Sequence, residues 1–200
     1  MKRHVVAGVI TVLALISLVG CATKDNTRFY LLTPLAEPTK AHSTAAIGVG
    51  PIVLPRYLVR PEIVGRVSGN QLNFAESDQW GGELEDNMTR VVARNLANLL
   101  GTNNIALFPW SAGPQPTMDY QVIVDVTSFE QTPEGSCVLE AFWRIAHGES
   151  GEILVMQRSS FQEPVAAAGI GGTNYSAVAQ AQSRNVEKLS REIADAIPPK

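Results

Sequence analysis

Three long runs in the second half of the chain restrict its fold more than any other feature. Asp119–Glu130 alternates Tyr120, Val122, Val124 and Val126 against Gln121, Asp125 and Thr127, a period of two that gives a strand one apolar and one polar side. Ser136–His147 repeats the pattern through Cys137, Leu139, Ala141, Trp143 and Ile145, and Glu152–Phe161 reads as a third strand. Gly135 and Gly148-Glu149-Ser150-Gly151 supply the turns between them. The sequence therefore predicts an antiparallel meander with one apolar face that something else must cover.

Two segments with helical period can cover it. From Asp78 to Leu100, Trp80, Leu84, Met88, Val91, Val92, Leu96, Leu99 and Leu100 fall at three- and four-residue steps, and Gly101 is the stop signal. Ser77 or Asp78 would cap this helix, and Glu83, Glu85 and Asp86 would load its positive end. Asp86 and Arg90 make a surface pair worth only tenths of a kcal/mol. A closing helix over Asn174–Ile197 carries Val178, Val186, Leu189, Ile193 and Ile197 on one stripe and ends at Pro198-Pro199.

Before the first helix, Phe29–Leu32 reads as a strand. Ile47–Pro55 reads as a strand that bends or ends at an edge at Gly50-Pro51, and Ile63–Val67 with Leu72–Phe74 forms a hairpin about Ser68-Gly69-Asn70. Ile105–Phe108 is a short strand, and Ser111–Pro116 a loop. The fold class is α+β: a mixed, mainly antiparallel sheet with two amphipathic helices packed on one face.

The first 20 residues have a different purpose. Lys2 and Arg3 precede an apolar run, Val5–Val19, too short and wrongly flanked for a spanning helix but suited to a secretory signal. Leu18-Val19-Gly20-Cys21 closes the run with a branched apolar residue three before a cysteine and small Gly20 just before it. This is the pattern of a bacterial lipoprotein, cleaved between Gly20 and Cys21, whose Cys21 sulfur takes a diacylglycerol group. The chain then divides into a signal over residues 1–20, a lipidated tether over 21–27 and one domain over 28–200. Ala22, not Asp, follows the cysteine, which points to the inner leaflet of the outer membrane, facing the periplasm.

Several classes of function lose support. Removing Lys2 and Arg3 takes two of the 16 basic residues and none of the 19 acidic ones, leaving a net charge of −5 (14 against 19). A mildly acidic domain without basic clusters is a poor partner for nucleic acid. With Cys21 acylated, Cys137 has no partner for a disulfide, and its place on the apolar side of a strand predicts a buried thiol. His4 leaves with the signal, His42 lies in a polar loop and His147 borders a turn. No Gly-x-Ser-x-Gly elbow or zinc spacing accompanies them, so no catalytic, metal or cofactor residues are assigned. Gly169-Ile170-Gly171-Gly172 lacks the Lys-Ser/Thr of a phosphate loop and reads as a plain loop.

The segment Leu54-Pro55-Arg56-Tyr57-Leu58-Val59-Arg60-Pro61-Glu62-Ile63-Val64 is more specific. It resembles the Leu-Pro-x-Tyr-Leu-Asp-Arg-Pro-Gln-Ile-Val signature of the PqiC/YmbA family, the auxiliary lipoproteins of ABC-type and MCE-type transport systems. Phe29-Tyr30-Leu31-Leu32, Ile47–Pro51 and Trp80-Gly81-Gly82-Glu83-Leu84 are similar to further family features, and the likeness covers the mature chain. Val59 departs from the family Asp, Glu62 from its Gln, and Gly81-Gly82 loosens the helix start.

The resemblance implies a non-enzymatic docking subunit for a periplasmic MCE-domain, PqiB-like partner, with room for a homo-oligomer. Membrane lipid is the other partner, through acylated Cys21. Arg56, Tyr57, Leu58, Arg60 and Pro61 are the candidate partner surface: Tyr57, Leu58 and Val59 form an apolar knuckle between Pro55 and Pro61, with Arg56 and Arg60 as its rim. The alternative at this point is that Tyr57 and Leu58 tuck into the domain's own core. Two other functions stay open: a lipid or small-molecule carrier whose sheet and helix enclose a cavity, and an envelope hydrolase using His147.

Overall fold

Alternating side chains can bury one face of a strand only if a second layer lies against it, and both helices meet that need. The computed structural model describes residues 26–34, 36–38, 42–110, 117–165 and 173–200. The signal segment, Gly20, Cys21, the 111–116 loop and Gly169–Gly172 lie outside these residues.

The strands are β1 (Arg28–Tyr30), β2 (Ile47–Val53), β3 (Glu62–Ser68), β4 (Gln71–Trp80), β5 (Ile105–Leu107), β6 (Tyr120–Ser128), β7 (Ser136–His147) and β8 (Ile153–Pro164). A 3-10 turn spans Arg56–Leu58, and the helices are α1 (Leu84–Leu100) and α2 (Tyr175–Ala196). Five strands form a sheet of order β5-β2-β6-β7-β8, in which β2 runs parallel to both neighbours and β6, β7 and β8 form the expected antiparallel meander. The other three form a smaller sheet of order β1-β4-β3, with β1 parallel to β4 and β3 antiparallel to it. Gln131 joins the two through bridges to Gly65 and Cys137.

α1 packs against β2 and β5, α2 against β7 and β8, and the helices against each other. Beneath them Val49, Val122, Val124, Leu139, Trp143 and Ile145 are buried, while Asp125, Phe142, Arg144 and Met156 face outward. The space between sheet and helices is thus filled by side chains, and a carrier cavity enclosed there does not fit the packing.

Cys137 is fully buried in this layer, its Sγ 3.8 Å from the carbonyl of Val178, and burial pushes its thiol up to about 12. Because the thiolate is the reactive form, Cys137 is expected to resist iodoacetamide at pH 8 in the folded protein and to react at once in denaturant. Fast alkylation of the native protein, followed by mass spectrometry, would contradict this burial.

Two expectations need correction. The helix expected from Asp78 starts at Leu84, with Glu83 as its N-cap and no side-chain cap, so Ser77 and Asp78 do not cap it. Asp78 and Trp80 belong to β4, held extended on both sides: Tyr30 pairs with Trp80, Glu62 with Gln79, and the Trp80 N–H donates to the Pro61 carbonyl at 2.7 Å. Ladder hydrogen bonds outweigh a weak helical preference here, and Gly81-Gly82 adds to the cost of a helix through this point. Glu85 and Asp86 do occupy the first turn, Arg90 meets Asp86 at 2.9 Å, and Gly101 closes the helix in the left-handed region (φ 63°, ψ 36°).

The second correction concerns β2, which bends but is internal. Gly50 has φ 112° and the register with β6 shifts between Val49 and Ile52. β5 pairs with β2 only as far as Val49, so the strand has a free side only after its bend.

Candidate functional site

Pro55 and Pro61 fix the backbone at each end of a short segment, and between them the chain makes one 3-10 turn. Leu58 donates to the Pro55 carbonyl at 2.9 Å and Val59 to the Arg56 carbonyl at 3.2 Å. A turn this tight sends successive side chains in different directions. Leu58 points into the core and is 2% exposed; Val59 points out and is 64% exposed. Tyr57 lies between, half-buried, its hydroxyl donating to Glu130 Oε2 at 2.9 Å. Burial, and then the Glu130 carboxylate, raise the Tyr57 phenol above its ordinary value, so it stays protonated.

Arg60 is equally constrained. Its guanidinium lies 3.6 Å from the centroid of the Phe74 ring, a cation–π contact, and its Nε donates to Glu62 Oε2 at 3.0 Å, which holds the Glu62 carboxyl below its usual range.

Opposite this segment, β4 ends at Trp80 and the chain crosses Gly81-Gly82 to reach α1. The Gly81 N–H donates to the Tyr30 carbonyl at 2.7 Å, so β1 is stitched to the same corner. Through β1 and the two residues after it the chain alternates, Phe29 and Leu31 outward (65% and 55% exposed), Tyr30 and Leu32 inward. Asp78, 4% exposed, holds β1 by accepting from Arg28 Nη2 and from the Tyr30 hydroxyl, both at 2.7 Å.

Between these walls lies a groove of about 790 Å³, with Leu54, Leu58, Trp80 and Leu84 as buried floor, Phe29, Val59 and Pro61 as exposed apolar wall, and Arg60, Gln79, Glu83 and Glu85 as its polar margin. The volume is that of a small-ligand site.

The structure thus brings three of the sequence-nominated surface residues, Leu58, Arg60 and Pro61, to one groove. Arg56 is exposed on the turn, and Tyr57 turns away toward Glu130. Leu58 must be withdrawn as a surface contact, because its side chain belongs to the core. Val59, the third residue of the expected knuckle, lies on the groove wall, whereas Phe29 and Gly82 were missed as site residues; the signal for them was an apolar and a glycine-rich stretch that local periodicity could not place together. His147, the hydrolase candidate, accepts at Nδ1 from the N–H groups of Glu149 and Ser150 at 3.3 Å each in the β7–β8 turn. Among the described residues no cluster of three or more His, Cys, Asp or Glu side chains is placed to hold a metal, and no helix is long and apolar enough to cross a membrane.

Fold and site together define an α+β domain built around a surface groove that offers apolar contact. The chain belongs to the family of ABC-type transport auxiliary lipoprotein components, whose model matches residues 30–194. This is the PqiC/YmbA family, and its role in ABC- and MCE-associated transport is auxiliary and non-catalytic. No curated protein matches the chain.

Among solved structures, protein XCC0632 from Xanthomonas campestris is similar at 17% identity and a TM-score of 0.70, covering 84% of this chain and 93% of its own. An uncharacterized protein is similar at 18% identity and a TM-score of 0.64, covering 86% and 99%. These likenesses show the fold alone.

Proposed function

We propose that the mature protein is anchored by acylated Cys21 in the inner leaflet of the outer membrane, faces the periplasm, and docks an MCE-domain, PqiB-like protein of a lipid-transport system. The observation that carries this reading is that the stretches resembling the family signature, around Phe29, Leu54–Pro61 and Trp80–Leu84, converge on one groove although they are far apart in sequence. The docking surface is the outward part of the nominated segment, Arg56, Val59 and Pro61 with Arg60 at its margin. Exposed apolar side chains beside an arginine are the composition of an interface core and rim.

Crosslinking in intact envelopes, followed by affinity purification of the tagged lipoprotein, tests the proposal. Recovery of an MCE-domain protein is expected, with less recovered from Arg56→Glu at an unchanged melting temperature. Consistent absence of such a protein from the crosslinked material would overturn the docking role.

A further inference from the structure

The backbone around the groove leaves a partner little to bond with. β4 is paired on both sides up to its end, Gln79 lying between Phe29 of β1 and Glu62 of β3. The N–H groups of Trp80 and Gly81 donate to the carbonyls of Pro61 and Tyr30, both at 2.7 Å, and those of Leu58, Val59 and Arg60 are engaged within the turn. Pro61 has no N–H. A strand laid along this wall would find no ladder to join, and its own backbone groups would be desolvated against apolar side chains. The uncapped first turn of α1 still has N–H groups, but consecutive helical donors lack the alternating spacing that a strand needs. A helix satisfies its backbone internally and needs only side-chain contact.

The side chains of the groove define what such a helix must present. Leu54, Leu58, Trp80 and Leu84 floor a volume of about 790 Å³ and Phe29, Val59 and Pro61 wall it, room for more than one large apolar side chain. On one helix face, anchors of this kind recur at i and i+3 or i+4. At the α1 margin Glu83 and Glu85 are exposed, and neither carboxylate forms an ion pair among the described residues. Arg60, by contrast, already has Glu62. Two uncompensated carboxylates beside an apolar floor favour a cation on the occupant.

We propose that this groove seats one amphipathic helix of the MCE-domain partner, an inference that rests on the docking role proposed above. Apolar side chains on one stripe of that helix fill the floor, and a Lys or Arg within a turn of them faces Glu83 and Glu85.

In cells producing the full-length protein, a photocrosslinking benzoylphenylalanine replaces Phe29, Val59 or Glu85, one at a time, each exposed on the groove. Intact envelopes are irradiated, and the attachment points on the partner are mapped by mass spectrometry. They are expected at steps of three or four residues along one apolar stripe, with Lys or Arg within a turn.

Two variants test the same seat by recovery of the partner. Gly82→Phe is expected to abolish recovery. A Cβ at Gly82 meets no heavy atom within 4 Å and its backbone lies outside the left-handed region, so the ring fills the groove without disturbing the fold. Glu83→Gln with Glu85→Gln, which keeps shape and removes charge, is expected to lower recovery about fivefold, as for two exposed ion pairs. Melting temperatures are measured alongside, and the mapping depends on neither variant. Attachment points at every second residue, or on a segment without Lys or Arg, overturn the helical occupant and leave docking intact. Undiminished recovery of the MCE-domain protein by either variant does the same, as does lipid in place of polypeptide at all three positions. If the unsubstituted protein recovers no MCE-domain protein, the docking role falls, and this inference with it.

Discussion

Leu58→Asp is expected to unfold the protein, and Val59→Asp, one residue along, to leave its stability nearly unchanged. Leu58 is 2% exposed and belongs to the buried core, whereas Val59 is 64% exposed on the groove wall. Removing the leucine forfeits about 1.5–3 kcal/mol of apolar burial. The aspartate that replaces it would be desolvated with no cation provided for it, adding several kcal/mol more. The sum approaches the whole stability of an ordinary domain, about 5–15 kcal/mol. At Val59 the change falls within about 0.5 kcal/mol, as for most surface substitutions.

Circular dichroism during thermal denaturation of the two variants decides the matter. A Leu58→Asp protein that melts with the wild type would mean that Leu58 faces solvent. The consequence for function is direct. Loss of partner capture by Leu58→Asp would report unfolding, so the proposed docking surface must be probed at Arg56, Val59 and Pro61.

That contrast also shows where reading the sequence stops. The β6–β7–β8 meander and the closing helix were legible because a strand or helix facing one core repeats its own period, and Cys137 was placed correctly by the same rule. Turn residues follow no such period, so the opposite directions of Leu58 and Val59 emerge only with the 3-10 turn.

Trp80 continues the apolar spacing of α1 backward and so looks helical, but its backbone is committed to Tyr30 and Pro61, partners fixed by the sheet and not by neighbours in sequence. The parallel pairings of β1 with β4 and β2 with β6 were equally invisible, because nothing local specifies which distant strand lies alongside. The groove shares this fate. Each stretch that lines it was noticed for its composition, and only tertiary packing brings them to one place.

Glu130→Ala is expected to cost about 3 kcal/mol, the low end of the range for breaking a buried ion pair. Glu130 is 1% exposed and all its contacts are specific. Oε1 accepts from Arg66 Nε at 3.0 Å and Nη2 at 2.5 Å, and Oε2 accepts from the Tyr57 hydroxyl at 2.9 Å and the Phe129 N–H at 2.7 Å. Alanine would strand the charged Arg66 donors and the Phe129 N–H together and leave the Tyr57 hydroxyl only the Thr127 carbonyl at 3.3 Å. Solvent relieves part of this, since the Arg66 side chain is 31% exposed, which is why the low end applies.

For a domain of this size, about 2–4 °C per kcal/mol predicts a melting temperature lower by about 6–12 °C. Tyr57→Phe, which removes one hydroxyl donor and leaves the ion pair, is expected to cost only about 1 kcal/mol. The double variant Arg66→Ala with Glu130→Ala should be less destabilised than the sum of the singles, because the second change removes the charge that the first left unpaired. Strict additivity would show that the carboxylate and guanidinium act independently, contrary to their geometry.

The carboxylate does more than neutralise an arginine. Arg66 lies on β3 of the smaller sheet, Tyr57 on the 3-10 turn, and Phe129 just after β6 of the larger one, so this single side chain ties the turn to both sheets. Because Tyr57 is held at its hydroxyl, the turn keeps the orientation that buries Leu58 and presents Val59. Loss of Glu130 should therefore loosen the groove wall as well as lower the melting temperature.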